Sequence, residues 1–172
     1  MIHNIYHYIT KISNPIKLFK DELGSIDISK RRESMKRLVD VAKAAGPDAA
    51  REKLIPFIQD RIDEVLFEMA TQMGELGGHV GGPDRASILL QPLEALCNVE
   101  ETVVRDAAAQ SICKIIDILP DQIAQGTAVP MVVRLANGDW FTSKVSSCAL
   151  VASAYAKSNG SGKQQLLQLF CT

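Results

Sequence analysis

The sequence predicts an all-α protein in which helical hairpins stack into a superhelical array. A proline–aspartate pair recurs at spacings of 36 and 37 residues, at Pro47-Asp48, Pro83-Asp84 and Pro120-Asp121. A second proline follows each pair after nine or ten residues, at Pro56, Pro92 and Pro130. A period of about 37 residues is typical of helical-hairpin solenoids.

The clearest helix lies at residues 101–119, where apolar residues recur at steps of one, three and four. The members of this stripe are Val103, Val104, Ala107, Ala108, Ile112, Ile115, Ile116 and Leu119. So wide a stripe is typical of a buried helix face. Leu89, Leu93, Leu96 and Cys97 mark the apolar face of the preceding helix. Since only residues 98–101 separate the two helices, we expect an antiparallel hairpin.

Local signals set the other boundaries. Asn14 is the predicted N-cap of the first helix, and Gly24 and Gly46 are predicted helix ends. Each Pro-Asp pair begins a helix, because proline is tolerated in the first turn and aspartate binds the free N–H groups there. The predicted helices span 15–23, 29–45, 48–60, 64–76, 84–97, 101–119, 121–136, 141–155 and 163–171. Residues 158–162 are predicted to be a flexible loop.

These helices give four full hairpins and a partial fifth. The predicted repeats cover 15–46, 47–82, 83–119, 120–157 and, in part, 158–172, after an N-terminal extension at 1–14. Because the fifth hairpin has one helix, the chain is expected to be a fragment of a longer array, with a single capping helix as the alternative. Self-association through this C-terminal end is a further expectation.

Composition excludes several classes of function. Lys plus Arg total 19 and Asp plus Glu total 20, so bulk charge favours neither nucleic-acid binding nor a membrane surface. The four cysteines form no CxxC pair, and the three histidines lie far from them, so no metal site or cofactor is predicted. Without an apolar span or signal segment, the expected location is the cytoplasm, with the nucleus as a second compartment.

No motif predicts catalysis. Ser158-Asn-Gly-Ser-Gly-Lys163 resembles a phosphate loop, but Lys157 stands where its first glycine belongs and Gln164 where Ser or Thr belongs. Glu100 and Glu101 are better explained by the dipole at a helix N-terminus than by acid–base chemistry. We therefore expect that the chain is not an enzyme.

The turn inside each hairpin is the predicted binding surface, since equivalent turns align along one edge of a stack. Its acidic members are Asp27, Asp63, Glu64, Glu100, Glu101 and Asp139. Trp140, the one tryptophan of the chain, is either a protein-binding anchor or a ring packed between the third and fourth repeats. For Phe141, packing between repeats is the expectation. The acidic residues are either contacts or solvated helix N-termini.

Two strings are specific enough to indicate a family. Val99-Glu-Glu-Thr-Val-Val-Arg-Asp106 and Gly138-Asp-Trp-Phe-Thr-Ser-Lys144 resemble the N-terminal HEAT repeats of the scaffold (A) subunits of protein phosphatase 2A. The resemblance runs from Pro15 to Phe170. Further matching strings are Leu54-Ile-Pro-Phe57, Val80-Gly-Gly-Pro83 and Leu90-Gln-Pro-Leu-Glu-Ala-Leu96.

The resemblance implies a HEAT-repeat superhelix without catalysis of its own. In that family, intra-repeat turns of the N-terminal repeats bind regulatory B subunits, and C-terminal repeats, absent here, bind the catalytic subunit. The implied protein-binding residues are Asp63, Glu64, Glu100, Glu101, Thr102, Asp139, Trp140, Phe141, Thr142 and Lys144. The alternative is a HEAT-repeat adaptor of another class, in nuclear transport or chromosome organisation.

The chain departs from the family pattern in three places. The turn at 60–64 is about three residues shorter than the family's, and residues 1–14 match nothing in it. Lys144 stands where the family tends to have arginine, which weakens any bidentate contact.

Overall fold

The computed structural model describes residues 14–59 and 65–169, and this part of the chain is helical without any strand. The helices are α1 (Pro15–Leu23), α2 (Ile28–Met35), α3 (Leu38–Ala45), α4 (47–59), α5 (Leu66–Glu75), α6 (83–96), α7 (Thr102–Ile118), α8 (Asp121–Ala136), α9 (Phe141–Ala156) and α10 (Gly160–Gln168). Within α4, residues Ala50–Leu54 form a π-helical segment, and α6 begins as the 3-10 helix Pro83–Leu89. The predicted all-α class is confirmed.

The helices pack as two layers of a solenoid. The second helices of successive hairpins, α3, α5, α7 and α9, each contact the next, and α6, α8 and α10 do the same in the other layer. Between the layers runs one continuous apolar core, whose fully buried members include Phe19, Met35, Leu54, Met73, Leu93, Ile112 and Ile115. Each hairpin therefore buries its apolar face against its neighbours, as repeat architectures require.

The predicted helix ends are largely present. Asn14 Oδ1 accepts hydrogen bonds from the backbone N–H groups of Ile16 (3.1 Å) and Lys17 (3.4 Å), so it caps α1. Gly46 has φ +85°, a left-handed conformation that glycine adopts without steric cost, and it separates α3 from α4. The α-helix Asp121–Ala136 has the predicted bounds.

Three local predictions are wrong. The helix predicted at 29–45 is interrupted at residues 36–37, where the Arg37 N–H donates to the carbonyl oxygen of Ser34 at 3.0 Å. The side chains of Ser34 and Arg37 beside this break donate to the Glu22 carboxylate of α1 at 2.9 and 2.5 Å. Residues 158–162 are not a loop throughout, since Asn159 Oδ1 accepts from the N–H groups of Ser161 and Gly162 and so starts α10 at Gly160. Val103 is 63% exposed and does not belong to the buried stripe.

Some predictions lie outside the described residues. They concern the extension at 1–14 except Asn14, the shortened turn at 60–64 with Asp63 and Glu64, and the end of the last predicted helix beyond Leu169.

Candidate functional site

The turns that join the two helices of a hairpin lie on one edge of the solenoid, because the hairpins stack in the same orientation. We call this surface the turn edge. In the described part of the chain it consists of residues 24–27, 97–101 and 137–140 together with the first turns of α2, α7 and α9.

An arginine fixes two of these turns in the same way. Arg31, the fourth residue of α2, donates from Nη1 to the carbonyl oxygens of Ser25 (2.9 Å) and Ile26 (3.3 Å). Arg105 occupies the same position in α7 and donates from Nη1 to the carbonyl oxygens of Val99 (2.9 Å) and Glu100 (2.6 Å). A planar guanidinium suits such paired acceptors, so both turns are fixed from inside the helix that follows them.

The turn before α9 is held differently. Lys144 is the fourth residue of α9, and its side chain is exposed and makes no described hydrogen bond to the turn. Instead the Ser143 hydroxyl, which is buried, donates to the carbonyl oxygen of Trp140 at 2.7 Å. Gly138 leaves room for this serine, because a Cβ at position 138 would lie 2.5 Å from Ser143 Oγ.

Two hydrogen bonds join the last two turns into one surface. The buried Ser146 hydroxyl of α9 donates to the carbonyl oxygen of Cys97 at 3.0 Å, and Thr142 Oγ1 donates to that of Asn98 at 3.5 Å. Both acceptors belong to the end of α6, where carbonyls have no partner within the helix. Burial raises the pKa of the Cys97 thiol to about 12, although a side-chain interaction with Ser146 lowers that pKa. This cysteine is therefore a packing residue and not a nucleophile.

Both aromatic residues of the last turn point into solvent. Trp140 is 74% exposed and Phe141 is 78% exposed, so the expected packing of Phe141 between repeats is wrong and the packing alternative for Trp140 is excluded. The reason lies in the inward face of α9, which is built at this end from the buried serines Ser143, Ser146 and Ser147. Ser146 bonds the Cys97 carbonyl of the preceding turn, whereas Ser143 and Ser147 bond carbonyls of their own segment, so small side chains fill this face and neither ring packs there.

The polar site residues of the sequence prediction lie beside these rings. Glu100, Glu101, Thr102, Asp139 and Lys144 are all exposed on the turn edge, and Thr142 is half-buried. Asp63 and Glu64 lie outside the described residues. The structure thus places Glu100 and Glu101 on the turn next to that of Trp140 and Phe141, and Asp27 lies at the turn of the first hairpin.

Sequence reasoning missed three exposed apolar residues on this edge. Ile26 is 98% exposed, Val103 63% and Ile28 45%. The exposure of Ile26 could have been predicted, because this residue precedes the N-cap Asp27 and belongs to no helical stripe. The exposure of Val103 could not, since its neighbour Val104 is the same residue type and is buried.

The described residues contain no arrangement suited to metal-dependent catalysis. No group of three or more His, Cys, Asp or Glu side chains in this part of the chain is close enough to hold a metal ion.

A groove of about 730 Å³ lies between α8 and α10, and several of its polar groups already have partners: Gln125 accepts from the backbone of Asn159, and Lys157 pairs with Asp121. No described helix is long and apolar enough to span a membrane.

Curated relatives match nearly all of the chain. The chain is 43% identical over 159 residues to the beta isoform of the 65 kDa regulatory A subunit of serine/threonine-protein phosphatase 2A from Rattus norvegicus, a match that covers 91% of this chain and 26% of that protein. It is 39% identical over 161 residues to the protein phosphatase 2A scaffold subunit of Dictyostelium discoideum (91% and 28%). It is 42% identical over 160 residues to the regulatory A subunit of protein phosphatase PP2A from Schizosaccharomyces pombe (91% and 27%).

No protein-family model matches the chain. The chain spans about a quarter of the length of the curated relatives it matches. By its similarity to these relatives from different organisms, the chain belongs to the family of the scaffold, or regulatory A, subunits of protein phosphatase 2A.

Proposed function

We propose that this chain is part of a non-catalytic scaffold of protein phosphatase 2A, and that its turn edge binds regulatory B subunits. The names of the relatives support the scaffold role. The observation that supports this binding surface is the exposure of Trp140 and Phe141. They lie on a turn in which the Ser143 hydroxyl donates a hydrogen bond to the carbonyl oxygen of Trp140. Aromatic side chains that a partner can bury are the usual energetic anchors of an interface.

The scaffold role depends on stiffness along the solenoid. Ion pairs join neighbouring hairpins at Arg32–Glu68 (3.6 Å), Glu75–Lys114 (2.6 Å) and Glu94–Arg134 (2.7 Å). The Ser111 hydroxyl of α7 adds a buried bond of 2.7 Å to the carbonyl oxygen of Ala70 in α5. Such an array holds the turns at fixed spacing, so a partner that contacts several turns is positioned by all of them.

Co-purification tests the proposal. The chain is mixed with purified regulatory B subunits, and separately with the purified catalytic subunit, and each complex is measured by size-exclusion chromatography and titration calorimetry. We expect binding of at least one B subunit and no appreciable binding of the catalytic subunit, whose contacts the family resemblance assigns to C-terminal repeats. Failure with every B subunit, or capture of nuclear-transport or chromosome-organising factors in their place, would contradict the proposal.

We also propose that the chain self-associates near its C-terminal end and that it is located in the cytoplasm and, second, in the nucleus. In the described part of the chain, α10 packs on α8 and α9 with Leu166 buried, whereas Val145, Cys148 and Ala149 on the outer side of α9 are exposed. We expect this face to associate with a second copy at high concentration, which sedimentation velocity over a concentration series measures. The proposed compartments are the cytoplasm and, second, the nucleus, which imaging of a fluorescently tagged protein tests.

A further inference from the structure

Two asparagine–glycine pairs occur in the chain, and their surroundings in the fold differ. Asn137-Gly138 lies where α8 ends, and Asn159-Gly160 lies where α10 begins. Both asparagines are exposed. In such a pair the backbone nitrogen of the glycine can attack the side-chain carbonyl carbon of the asparagine, because glycine has no side chain to obstruct the approach. The two pairs therefore share one reaction and can be compared within one molecule.

Asn159 holds its side-chain carbonyl against backbone donors. Its Oδ1 accepts hydrogen bonds from the N–H groups of Ser161 (3.1 Å) and Gly162 (3.2 Å), and these donors lie where negative charge develops on Oδ1 during an attack on Cγ. Among the described residues, none accepts a hydrogen bond from the N–H group of Gly160, which is the first residue of α10. The carbonyl is thus polarised, and the attacking nitrogen is not engaged elsewhere.

Asn137 has the opposite arrangement. The N–H group of Gly138 donates to the carbonyl oxygen of Leu135 at 3.2 Å, and Asn137 Nδ2 donates to the carbonyl oxygen of Val133 at 2.9 Å. Closure of a five-membered ring also needs the next backbone nitrogen to lie on the same side of the Cα–C bond as Cβ. Asn159, with ψ −176°, is nearer to this arrangement than Asn137, with ψ 4°. The fold therefore favours the reaction at Asn159 over the reaction at Asn137.

We propose that Asn159 is a site of spontaneous deamidation whose product loosens α10. Hydroxide removes the proton from the Gly160 nitrogen, this nitrogen attacks Asn159 Cγ, and the side-chain nitrogen leaves as ammonia with a proton from water. The product is a cyclic imide, which water opens. Cleavage of the bond from the Gly160 nitrogen to Cγ gives aspartate, and cleavage of its bond to the main-chain carbonyl carbon of residue 159 gives isoaspartate. The net reaction consumes one water and releases one ammonia.

Isoaspartate at position 159 removes the cap that starts α10. The main chain then runs through the former side chain, so the oxygen that accepted from Ser161 and Gly162 becomes part of the backbone. The N–H group of Asn159 also donates to Gln125 Oε1 of α8 at 3.0 Å, and the longer main chain displaces this contact. Loss of an N-cap destabilises a helix, so α10 is held less firmly on α8, where Leu166 is buried in the unmodified chain.

Ageing of the purified chain tests the proposal without any binding partner. The chain is incubated in the folded state and, separately, in denaturant, and isoaspartate at positions 137 and 159 is measured over time by peptide mapping and by enzymatic methylation of isoaspartyl residues. Asn137 is the control within the same molecule. Asn159→Ser is the matched variant, because serine keeps a hydroxyl that can cap α10 but has no amide to lose.

In the folded chain we expect Asn159 to react at least about tenfold faster than Asn137, because preorganised donors to a developing oxyanion change rates by that factor or more. In denaturant the two rates should become similar. Hydrogen exchange of residues 160–168 should accelerate in the aged wild-type chain and stay unchanged in aged Asn159→Ser. Equal rates in the folded chain, or a faster reaction at Asn137, would overturn the assignment of the site. Unchanged hydrogen exchange after isoaspartate has formed would overturn the loosening of α10.

Discussion

Arg105 Nη1 lies 2.6 Å from the carbonyl oxygen of Glu100, five residues earlier in the chain, and Arg31 makes the corresponding contact with Ile26 at 3.3 Å. The same residue type at the same helix position thus closes two turns that lie two hairpins apart. These arginines stabilise the turns of the turn edge by bonding their carbonyl oxygens, and the side chains of the turn residues form the exposed surface.

Arg105→Ala should destabilise the fold by about 1–2 kcal/mol. The estimate is in the lower part of the range for hydrogen bonds from a charged donor, because Arg105 is only half-buried. Chemical denaturation measures the change in the free energy of unfolding. Lys144→Ala, at the same position of α9, is the control and should change stability by less than about 0.5 kcal/mol. Equal losses for the two variants would show that the arginine bonds contribute nothing specific.

Gly74→Ala should cost about 1–3 kcal/mol of stability, as overpacking does. A Cβ at position 74 would lie 2.5 Å from Ser111 Oγ and 3.0 Å from Ser111 Cα, so α5 and α7 would have to separate and the Ser111–Ala70 bond would lengthen. Gly126→Ala is the control within α8, where nothing lies within 4 Å of the added atom. It should stabilise the protein by about 0.5–1 kcal/mol through helix propensity. Melting temperatures that shift in the same direction for both variants would contradict the close approach of α5 and α7.

Trp140→Ala should weaken binding of a regulatory B subunit by at least about 2 kcal/mol, or about thirtyfold, while the stability of the fold changes by less than about 0.5 kcal/mol. The ring is exposed in the free protein, so its removal takes away partner contacts and leaves no cavity. Titration calorimetry and thermal melting are performed on the same preparation. Glu100→Ala should cost less affinity, because solvent screens an exposed charge. A lowered melting temperature with unchanged affinity would show that Trp140 stabilises the fold and is not a binding anchor.

The Cys97 thiol should resist alkylation in the native protein. Its pKa is raised to about 12 by burial, so the reactive thiolate is scarce at pH 8, whereas the exposed Cys148 should react readily. Mass spectrometry after iodoacetamide treatment measures both cysteines in one sample, with denatured protein as the control. The same shift predicts that stability falls as the pH rises above about 9, since the unfolded thiol then loses its proton and the folded one keeps it. Rapid labelling of Cys97 at pH 8 would show that this part of the core opens easily.

Local sequence signals were enough to predict the all-α class, the repeat period, the cap at Asn14 and several helix bounds. Asn14, Gly46 and the Pro-Asp pairs act within a few residues of their own positions, and the apolar stripes indicate which helix faces are buried. The strings around residues 99–106 and 138–144 also indicated the family that the curated relatives now identify.

Other features depend on contacts between residues that are distant in the chain and could not be predicted from local signals. The break between α2 and α3 lies where Ser34 and Arg37 bond Glu22 of another helix, and Phe141 is exposed beside the segment where Ser146 bonds the preceding hairpin. The role of Arg105 was equally hidden, because a sequence counts it as a surface cation while the fold directs it at two backbone carbonyls. Apolar periodicity and formal charge describe residue types, whereas burial and hydrogen-bond direction are properties of the packed chain.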